Sequence, residues 1–212
     1  MKAFIIAYER LSLLKNMARD LANAGLDIHI VDNCSTYSPL LEWYESNPYT
    51  ILRMDNNYGN TVVWDKELFK LANGERYIVT DPDLDISDVP GDFITVLDNG
   101  LNLYPSAHKC GLSLRIDDLP NTGIGNGARE WEGKFWTNKL DDMYYGTQID
   151  TTLAMYRENI TYHTLTALRT APPYMARHIP WYYIDFNSLP EDEKYYCSHC
   201  GGISYWSKFI KR

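Results

Sequence analysis

The chain has 212 residues, of which 45% are hydrophobic, and a formal net charge of −8. A chain of this length can form one domain and bury roughly 70% of its unfolded surface, so it needs no second core. Lys and Arg are dispersed, which argues against a nucleic-acid groove, and no apolar run is long enough to span a bilayer. Because the N-terminal apolar run soon meets Glu9 and Arg10, it does not resemble a secretory signal, and we expect a soluble, cytoplasmic protein.

Strands and helices alternate through the first 80 residues. The apolar run at residues 4–7 predicts a strand, and helical spacing then continues to Gly25, which stands where a helix-ending glycine belongs. Further strands are predicted at residues 27–32, 50–54 and 76–80, separated by helices at 39–45 and 63–71. This order predicts a three-layer α/β/α fold with a mainly parallel central sheet.

The second half of the sequence is less regular. The pattern predicts a helix at residues 92–103 and a strand at 111–116. The glycine-rich run at 121–127 follows Pro120 rather than a strand, and its spacing is wrong for a dinucleotide-binding loop. We therefore predict a mobile surface loop there.

Each predicted strand of the first half ends in polar residues. The four strand ends are Tyr8-Glu9-Arg10, Asp32-Asn33, Asp55-Asn56-Asn57 and Asp81-Pro82-Asp83. In a parallel sheet these ends share one edge, which is where ligands bind in open α/β sheets. Taken singly, each cluster is better explained as a turn or a helix cap, and it is the four together that indicate a ligand site.

The fourth strand end has the composition of a divalent metal site. Side chains alternate along a strand, so Asp81, Asp83 and Asp85 would face the same way. Oxygen ligands select Mg²⁺ or Mn²⁺, and either ion would let an acidic protein hold an anionic phosphate ligand. The alternative is a simple turn, in which Asp and Pro are also favoured.

The four cysteines, Cys34, Cys110, Cys197 and Cys200, do not form a clear metal motif. The C-terminal pair resembles half of a zinc knuckle, but a structural zinc site needs four ligands and the chain offers no second pair at suitable spacing. A C-terminal turn or a redox-silent thiol pair is the favoured interpretation.

Several segments together resemble the GT-A nucleotide-sugar glycosyltransferases. They are residues 4–10, 30–36, 56–59 and the Asp-x-Asp signature at 81–83. Blocks at 114–120, 149–152 and 176–182 resemble a microbial and viral branch of that fold, including a chlorovirus domain of capsid glycan synthesis. The resemblance covers nearly the whole chain.

The resemblance implies an enzyme that moves a hexose-type sugar from a UDP-sugar donor to a glycan or glycoprotein acceptor, with retention. Mn²⁺ or Mg²⁺ would bridge the donor phosphates. Residues 1–212 would form one domain, with a nucleotide-sugar half at 1–85 and an acceptor half at 86–212. The protein would be a monomer or part of a longer multidomain chain, in the host cytoplasm if it is viral.

The same resemblance implies roles for individual residues. Those lining or approaching the nucleoside are Ala7, Tyr8, Arg10, Asp32, Asn57 and Gly59. Asp83 would be the direct metal ligand, and Asp81 would lie nearer the ribose or a metal-bound water. His178 would bind metal or phosphate, although a loop role beside Pro180 is an equal alternative.

The chemistry of sugar transfer adds further candidates. Negative charge grows on the leaving diphosphate, so Arg10, Arg115 or Arg177 would serve as bidentate donors. A carboxylate is wanted near the sugar carbon or the acceptor hydroxyl, and the candidates are Asp117, Asp118 and Asp150. A turn or helix cap before Pro120 explains the first two equally well.

Two other functions fit parts of the sequence. A sugar-phosphate nucleotidyltransferase would use a similar sheet and metal, but it would usually carry a glycine-rich triphosphate loop after the first strand, which this chain lacks. A non-catalytic module that binds nucleotide-sugars or glycans stays open as well, because a fold does not by itself imply an activity.

Overall fold

The computed structural model describes residues 1–162 and 165–201. The strands are β1 (Lys2–Ala7), β2 (Asp27–Asp32), β3 (Thr50–Arg53), β4 (Tyr77–Thr80), β5 (Leu84–Asp85), β6 (Lys109–Gly111), β7 (Ser113–Leu114), β8 (Tyr144–Gly146), β9 (Ala154–Tyr156), β10 (Ala167–Thr170) and β11 (Met175–His178). The α-helices are α1 (Ser12–Asn23), α2 (Ser38–Tyr44), α3 (Val62–Asp65), α4 (Phe93–Leu103), α5 (Gly123–Glu132) and α6 (Glu191–His199). In this described part of the chain, no helix combines the length and apolar character that a membrane span requires.

An eight-stranded sheet forms the centre of the fold, in the order β3-β2-β1-β4-β9-β6-β10-β8. The first four strands pair in parallel, and β6 and β10 are parallel to each other. Strands β9 and β8 run the opposite way. A second, three-stranded sheet has the order β5-β11-β7, and its strand β5 follows the end of β4 along the chain. The predicted mixed α/β fold with a mainly parallel sheet is confirmed.

Alternate residues of the central strands enter two separate cores. In β1, Ala3 and Ile5 face a core that includes apolar residues of α1 and α4, such as Leu14. Phe4 and Ile6 face the other core, which includes apolar residues of α3. Because successive side chains point to opposite faces of a strand, a sheet covered on both sides reads as a continuous apolar run.

The helix ending predicted at Gly25 is present. Gly25 has a positive φ of 83°, which glycine adopts without steric cost. The Leu26 N–H donates to the Leu21 carbonyl (3.2 Å), and the Gly25 N–H donates to the Ala22 carbonyl (2.9 Å). These bonds satisfy carbonyls that the end of α1 would otherwise leave without donors.

Two predicted elements are each divided in the structure. The helix predicted at 63–71 consists of α3 and a separate 3₁₀ segment, Leu68–Ala72, because Glu67 is left-handed (φ 54°) and cannot continue an α-helix. The strand predicted at 111–116 divides at Leu112, which lies between β6 in the large sheet and β7 in the small one.

The prediction of a mobile loop at 121–127 is wrong, because most of this run forms the first turns of α5. Thr122 caps the helix by accepting a hydrogen bond from the Gly125 N–H (3.1 Å). A Cβ on Gly125 would lie 2.1 Å from the Pro120 carbonyl oxygen, so the glycine permits a close approach of two backbone segments. None of the three glycines in this run has a positive φ.

Candidate active site

The four polar strand ends meet on one edge of the central sheet, as predicted. The parallel register places Ala7 beside Asp32, and Asp32 beside Arg53. Strand β4 lies on the other side of β1, with Thr80 level with Ile5. The residues that follow each of these strands therefore emerge at the same edge.

Glu9 has a structural role at the end of β1. It is buried and left-handed, with φ at 59°. Its carboxylate accepts hydrogen bonds from the N–H groups of Thr36 (2.9 Å) and Tyr37 (2.8 Å), just before α2. An anion at this position satisfies donors at a helix start. With Glu9 held there, the next side chain, Arg10, reaches across to Asp83.

Arg10 lies in a buried network of charges. Its Nη1 is 2.5 Å from Asp83 Oδ2, and its Nε is 3.0 Å from Glu193 Oε1. The guanidinium also lies over the ring of Tyr196, 3.9 Å from its centroid. The side chains of Arg10, Asp83 and Glu193 are at most 8% exposed. Removing Arg10 would leave the buried Asp83 carboxylate with less compensation, and removing Asp83 would leave the buried Arg10 guanidinium without its partner at 2.5 Å.

Asp83 is held in its ionised form. Burial acts to raise the pKa of this carboxyl, but His178 and Arg10 outweigh it and keep the pKa well below its usual range. The Nε2 of His178 lies 3.3 Å from Asp83 Oδ2. Among the described residues, neither Asp83 Oδ1 nor His178 Nδ1 has a hydrogen-bond partner, although both atoms are buried. One face of the Asp83 carboxylate is therefore ready to accept a ligand.

Asp81 is the second carboxylate at this point. Thr151 Oγ1 donates a hydrogen bond to Asp81 Oδ2 (2.6 Å). Burial and then the charge of Asp83 raise the pKa of Asp81 well above its usual range, while the bond from Thr151 opposes that shift. Two carboxylates so close cannot both ionise without a cost, and a divalent cation between them would remove that cost.

The donor set fits a cation that is shared with a phosphate ligand. Within residues 1–162 and 165–201, no three His, Cys, Asp or Glu side chains are arranged to hold a metal ion by themselves. Mg²⁺ is usually bound by one or two carboxylates together with substrate phosphates, and Asp81 and Asp83 would supply that protein part. The metal-binding roles of Asp81, Asp83 and His178 stay predictions.

The predicted nucleoside-binding residues also gather at this edge. Tyr8 lies beside Asn57, its Oη donates a hydrogen bond to the His199 carbonyl oxygen (3.4 Å), and its ring packs edge-on against Tyr196. Gly59 has a positive φ of 76°, and its carbonyl accepts from Asn33 Nδ2 (2.9 Å). The loop at 57–59 is thus fixed to the end of β2 and lies beside the end of β1.

Asp32 and Ala7 contribute to the same edge from buried positions. Both residues are fully buried. The Asp32 carboxylate accepts hydrogen bonds from Tyr44 Oη (3.0 Å) and the Ser35 N–H (3.2 Å), and it pairs with Arg53. Ala7 accepts a backbone hydrogen bond from Asn33 (2.9 Å). Their contact with a nucleoside stays a prediction.

Helix α6 covers the ends of β1 and β2, and the sequence did not predict this. Asp192 Oδ2 accepts from the backbone N–H groups of Leu11 (2.9 Å) and Ser12 (2.5 Å), so it caps α1 from a distant segment. The hydroxyl oxygens of Tyr195 and Thr36 are 3.0 Å apart, within hydrogen-bond distance. The only local signal for this helix is the acidic run after Pro190, which is typical of a helix start.

Arg115, Asp117 and Asp118 form a separate cluster. In the pairing of β7 with β11, Leu114 is opposite Ala176, so Arg115 and Arg177 extend to the face opposite His178. Asp118 pairs with Arg177 (2.8 Å) and accepts from Tyr182 Oη (2.6 Å). Burial acts to raise the pKa of Asp118, but Tyr182 and Arg177 outweigh it and lower that pKa. A catalytic role for Asp117 or Asp118 and a donor-binding role for Arg115 stay predictions.

Asp150, by contrast, lies next to the Asp81 site. It is exposed, and its Oδ1 accepts from the backbone N–H of Thr152 (3.0 Å) and from Thr152 Oγ1 (2.6 Å). The residue between them, Thr151, bonds to Asp81. Of the three predicted catalytic carboxylates, Asp150 is the one that the fold connects to the Asp-x-Asp pair.

Two buried ionic residues on the sheet were missed by the sequence analysis. Arg169 of β10 pairs with Glu132 of α5 (2.6 Å), and both side chains are 4% exposed. Lys109 of β6 is also buried. A charged residue inside an apolar strand is the local signal that marks such positions, because an unpaired charge is rarely buried.

The C-terminal cysteines do not show a metal site in the described residues. Cys197 and Cys200 form no disulfide, and Cys200 ends α6. The Cys200 thiol lies 3.8 Å from the Cys197 carbonyl, a contact within one helical turn. Cys197 therefore lies in the last turn of α6 and Cys200 at its end, so the structure has a helix end where a C-terminal turn was expected, and the redox-silent thiol pair stays a prediction.

No protein-family profile matches the sequence, and no curated protein matches it significantly. In three dimensions the chain is similar to residues 1–349 of S. aureus TarS, with a TM-score of 0.52 and 11% identity over 85% of this chain and 61% of that one. A longer TarS structure gives a TM-score of 0.51 and 12% identity over 84% of this chain and 36% of that one. Glucosyl-3-phosphoglycerate synthase from Mycobacterium tuberculosis, in complex with phosphoglyceric acid, gives a TM-score of 0.41 and 10% identity over 74% and 56%.

At these identities the likeness to TarS concerns the fold alone, which is the mixed α/β fold with a mainly parallel sheet. The chain spans less than two thirds of the length of either TarS structure.

Proposed function

We propose that the protein is a metal-dependent glycosyltransferase that moves a hexose-type sugar from a UDP-sugar to a glycan acceptor. The observation that carries this proposal is the pair Asp81 and Asp83 at the carboxyl edge of the sheet. Asp83 is held ionised by His178 and Arg10, and its Oδ1 has no partner among the described residues. The resemblance of the sequence to GT-A glycosyltransferases and the likeness of the fold to TarS support the same proposal.

Mn²⁺ or Mg²⁺ is the proposed cofactor. Asp83 would bind it directly, with Asp81 and His178 beside it, and the donor phosphates would complete the coordination. When bound, such an ion supplies Lewis-acid stabilisation of the charge that grows on the leaving diphosphate. Asp81 would lose its proton as the cation binds, because a positive charge favours the ionised carboxylate and so opposes the burial and the Asp83 charge that raise its pKa.

The remaining residues of the edge would bind and orient the donor. Tyr8, Asn57 and Gly59 line one side of the edge and offer a ring face and backbone groups to the nucleoside. Arg10 orients the Asp83 carboxylate through its Nη1. Held in this way, the reacting groups need little reorganisation during the transfer, which is a large part of electrostatic catalysis.

Retention of the anomeric configuration is part of the proposal. The leaving phosphate would take the proton of the acceptor hydroxyl, so no separate protein base is needed. The surroundings of the three candidate carboxylates are consistent with this. Asp118 is neutralised by arginine, and of the three candidates Asp150 is the one that adjoins the Asp81 site. Asp150 would then orient the acceptor or stabilise positive charge at the sugar carbon. A microbial or viral surface glycan is the proposed acceptor.

Metal-dependent UDP release from UDP-sugars tests the proposal. We expect the wild-type chain to release UDP slowly with Mn²⁺ and not with EDTA, and we expect Asp83→Asn to abolish this release. Asp85→Asn is the matched control, because Asp85 pairs with Arg177 in the small sheet, on the face opposite His178, and its carboxylate accepts from the Ser87 N–H (2.9 Å), so it does not share the Asp83 site that its sequence spacing predicted. Full activity in Asp83→Asn would contradict the site assignment.

Binding distinguishes the catalytic proposal from a non-catalytic module. Titration calorimetry of UDP with and without Mn²⁺ should show metal-dependent binding in the wild type. Binding without any release of UDP from a panel of UDP-, GDP- and dTDP-sugars, in the presence of glycan acceptors, would indicate a binding module instead.

A further inference from the structure

Lys109 is a buried cation on β6 whose role the proposed function does not yet include. It is only 1% exposed. Its Nζ donates hydrogen bonds to the Asp150 carbonyl oxygen (2.8 Å) and to Tyr156 Oη (3.1 Å). The rings of Tyr156 and Tyr162 lie 4.9 and 5.2 Å from the ammonium. The polar end of Lys109 therefore reaches the backbone of one segment next to Asp81.

This position is energetically costly for a lysine. Burial lowers the pKa of Lys109 to about 7, the charge of Asp150 opposes that shift, and Arg169 adds to it. Among the described residues, no carboxylate forms an ion pair with Nζ within 4.0 Å. An apolar residue of similar length would avoid the cost of burying an ammonium group. An apolar residue at this position could not donate a hydrogen bond to the Asp150 carbonyl oxygen, as Lys109 does.

A second buried cation holds the same segment. Arg169 Nε donates to the Gln148 carbonyl oxygen (2.9 Å), two residues before the carbonyl that Lys109 binds. The two cations come from different strands, β10 and β6, and both bind backbone groups rather than side chains of this segment. The backbone at 148–150 is therefore attached to the rigid central sheet at two points.

The attached segment ends in the residue that bonds to Asp81. Thr151 follows Asp150 directly, and its hydroxyl donates to Asp81 Oδ2 (2.6 Å). Thr151 is itself 3% exposed, so its hydroxyl has little access to solvent as an alternative partner. A shift of the Asp150 carbonyl would move Thr151 as well, since the two residues share a peptide unit.

We propose that Lys109 is a positioning residue for the Asp81 carboxylate, which acts by holding the Asp150 carbonyl so that Thr151 stays in place to donate to Asp81. The link to sugar transfer rests on the proposed function. The geometric part does not rest on it, because it concerns contacts within the protein alone, from Lys109 to the Asp150 carbonyl and from Thr151 to Asp81. Lys109 touches neither donor nor metal in this proposal, and it acts through Thr151 alone.

The geometric part is tested by NMR of threonine methyl groups in the full chain without ligand. The Thr151 methyl signal is assigned by its loss in Thr151→Val. We expect Lys109→Met to shift or broaden this signal. Arg157→Met is the matched control, since Arg157 also donates to a backbone carbonyl, that of Ala107 (2.6 Å), at the opposite end of β9 from the Asp81 site. That control should leave the Thr151 signal unchanged.

A double-mutant cycle tests the functional part through the affinity for UDP in the presence of Mn²⁺. Thr151→Val should weaken binding about tenfold, the effect expected for one lost hydrogen bond, and Thr151→Ser should restore it. Lys109→Met should weaken binding by a similar factor. The double variant should bind no more weakly than Thr151→Val, because both changes break the same chain of contacts.

Three results would overturn the proposal. They are an unchanged Thr151 methyl signal in Lys109→Met, multiplicative losses of affinity in the double variant, and wild-type affinity in Thr151→Val. The last result needs no folded Lys109 variant. If the wild type shows no Mn²⁺-dependent UDP binding, the proposed function fails, and the methyl spectra still decide whether Lys109 positions Thr151.

Discussion

Glu193 should make the stability of this protein fall as the pH rises through neutrality. Its side chain is fully buried beside Arg10. Burial raises the pKa of Glu193 from 4.5 to about 7, with Arg10 opposing the shift and Asp83 and Asp192 adding to it. Glu193→Gln keeps the shape of the side chain and removes the proton that titrates.

The sign and size of the effect follow from proton linkage. The folded-state pKa is above the unfolded one, so between pH 4.5 and 7 the folded chain binds more protons at Glu193. The stability from this group is fully present below the unfolded pKa and is lost as the pH rises through about 7. A difference of about 2.5 pKa units corresponds to about 3 kcal/mol in total, of which about 2–3 kcal/mol falls between pH 5 and 8.

Urea unfolding at pH 5 and pH 8 measures this difference directly. Between these two pH values, the wild type should lose about 2–3 kcal/mol of unfolding free energy relative to Glu193→Gln. Glu191→Gln is the matched control on the same helix, because its side chain is 79% exposed, and it should follow the wild type at both pH values. If Glu193→Gln and the wild type change in parallel, Glu193 does not titrate in this window and the reasoning is refuted.

Two structural predictions concern α5 and α1, both measured by urea unfolding. Gly125→Ala should lower the unfolding free energy by about 1–3 kcal/mol, because its Cβ meets the Pro120 carbonyl, whereas Gly133→Ala has open space and should raise it by about 0.4–1 kcal/mol. Equal effects of the two alanines would contradict the close-approach argument. Asp192→Ala should cost about 1–2 kcal/mol through the lost cap of α1, and Asp192→Asn, which keeps an acceptor, should cost less. Equal losses in these two variants would show that the cap is not the cause.

The regular part of the fold was predictable because its signals are local. Strand β2 was predicted with the bounds that the structure has, and β1, β3 and β4 to within two residues, because apolar and β-branched runs between turn residues mark buried strands. The helix end at Gly25 was predicted for the same reason, and the structure gives this glycine the positive φ that such an end uses. The glycines of α5 show the limit of this reasoning. Gly125 is needed for close packing against Pro120, which a local pattern does not contain.

The candidate site was predictable in part. The gathering of Asp81, Asp83 and Arg10 at one edge followed from the parallel order of the strands. His178 was associated with them by resemblance alone, and the structure places it 3.3 Å from Asp83. Arg115 was associated with the site too, but it belongs to a different face of the small sheet.

The sequence by itself therefore determined the strands, their polar ends and the edge on which those ends meet, because the apolar runs, the turn residues and the alternation of strands with helices are local patterns along the chain. Only the tertiary structure decided the charge state of the edge. Glu193 reaches Arg10 across 183 positions of sequence, and Thr151 reaches Asp81 across 70. Burial and distance set the pKa of a carboxylate, and both depend on segments that are remote in sequence until the chain has folded.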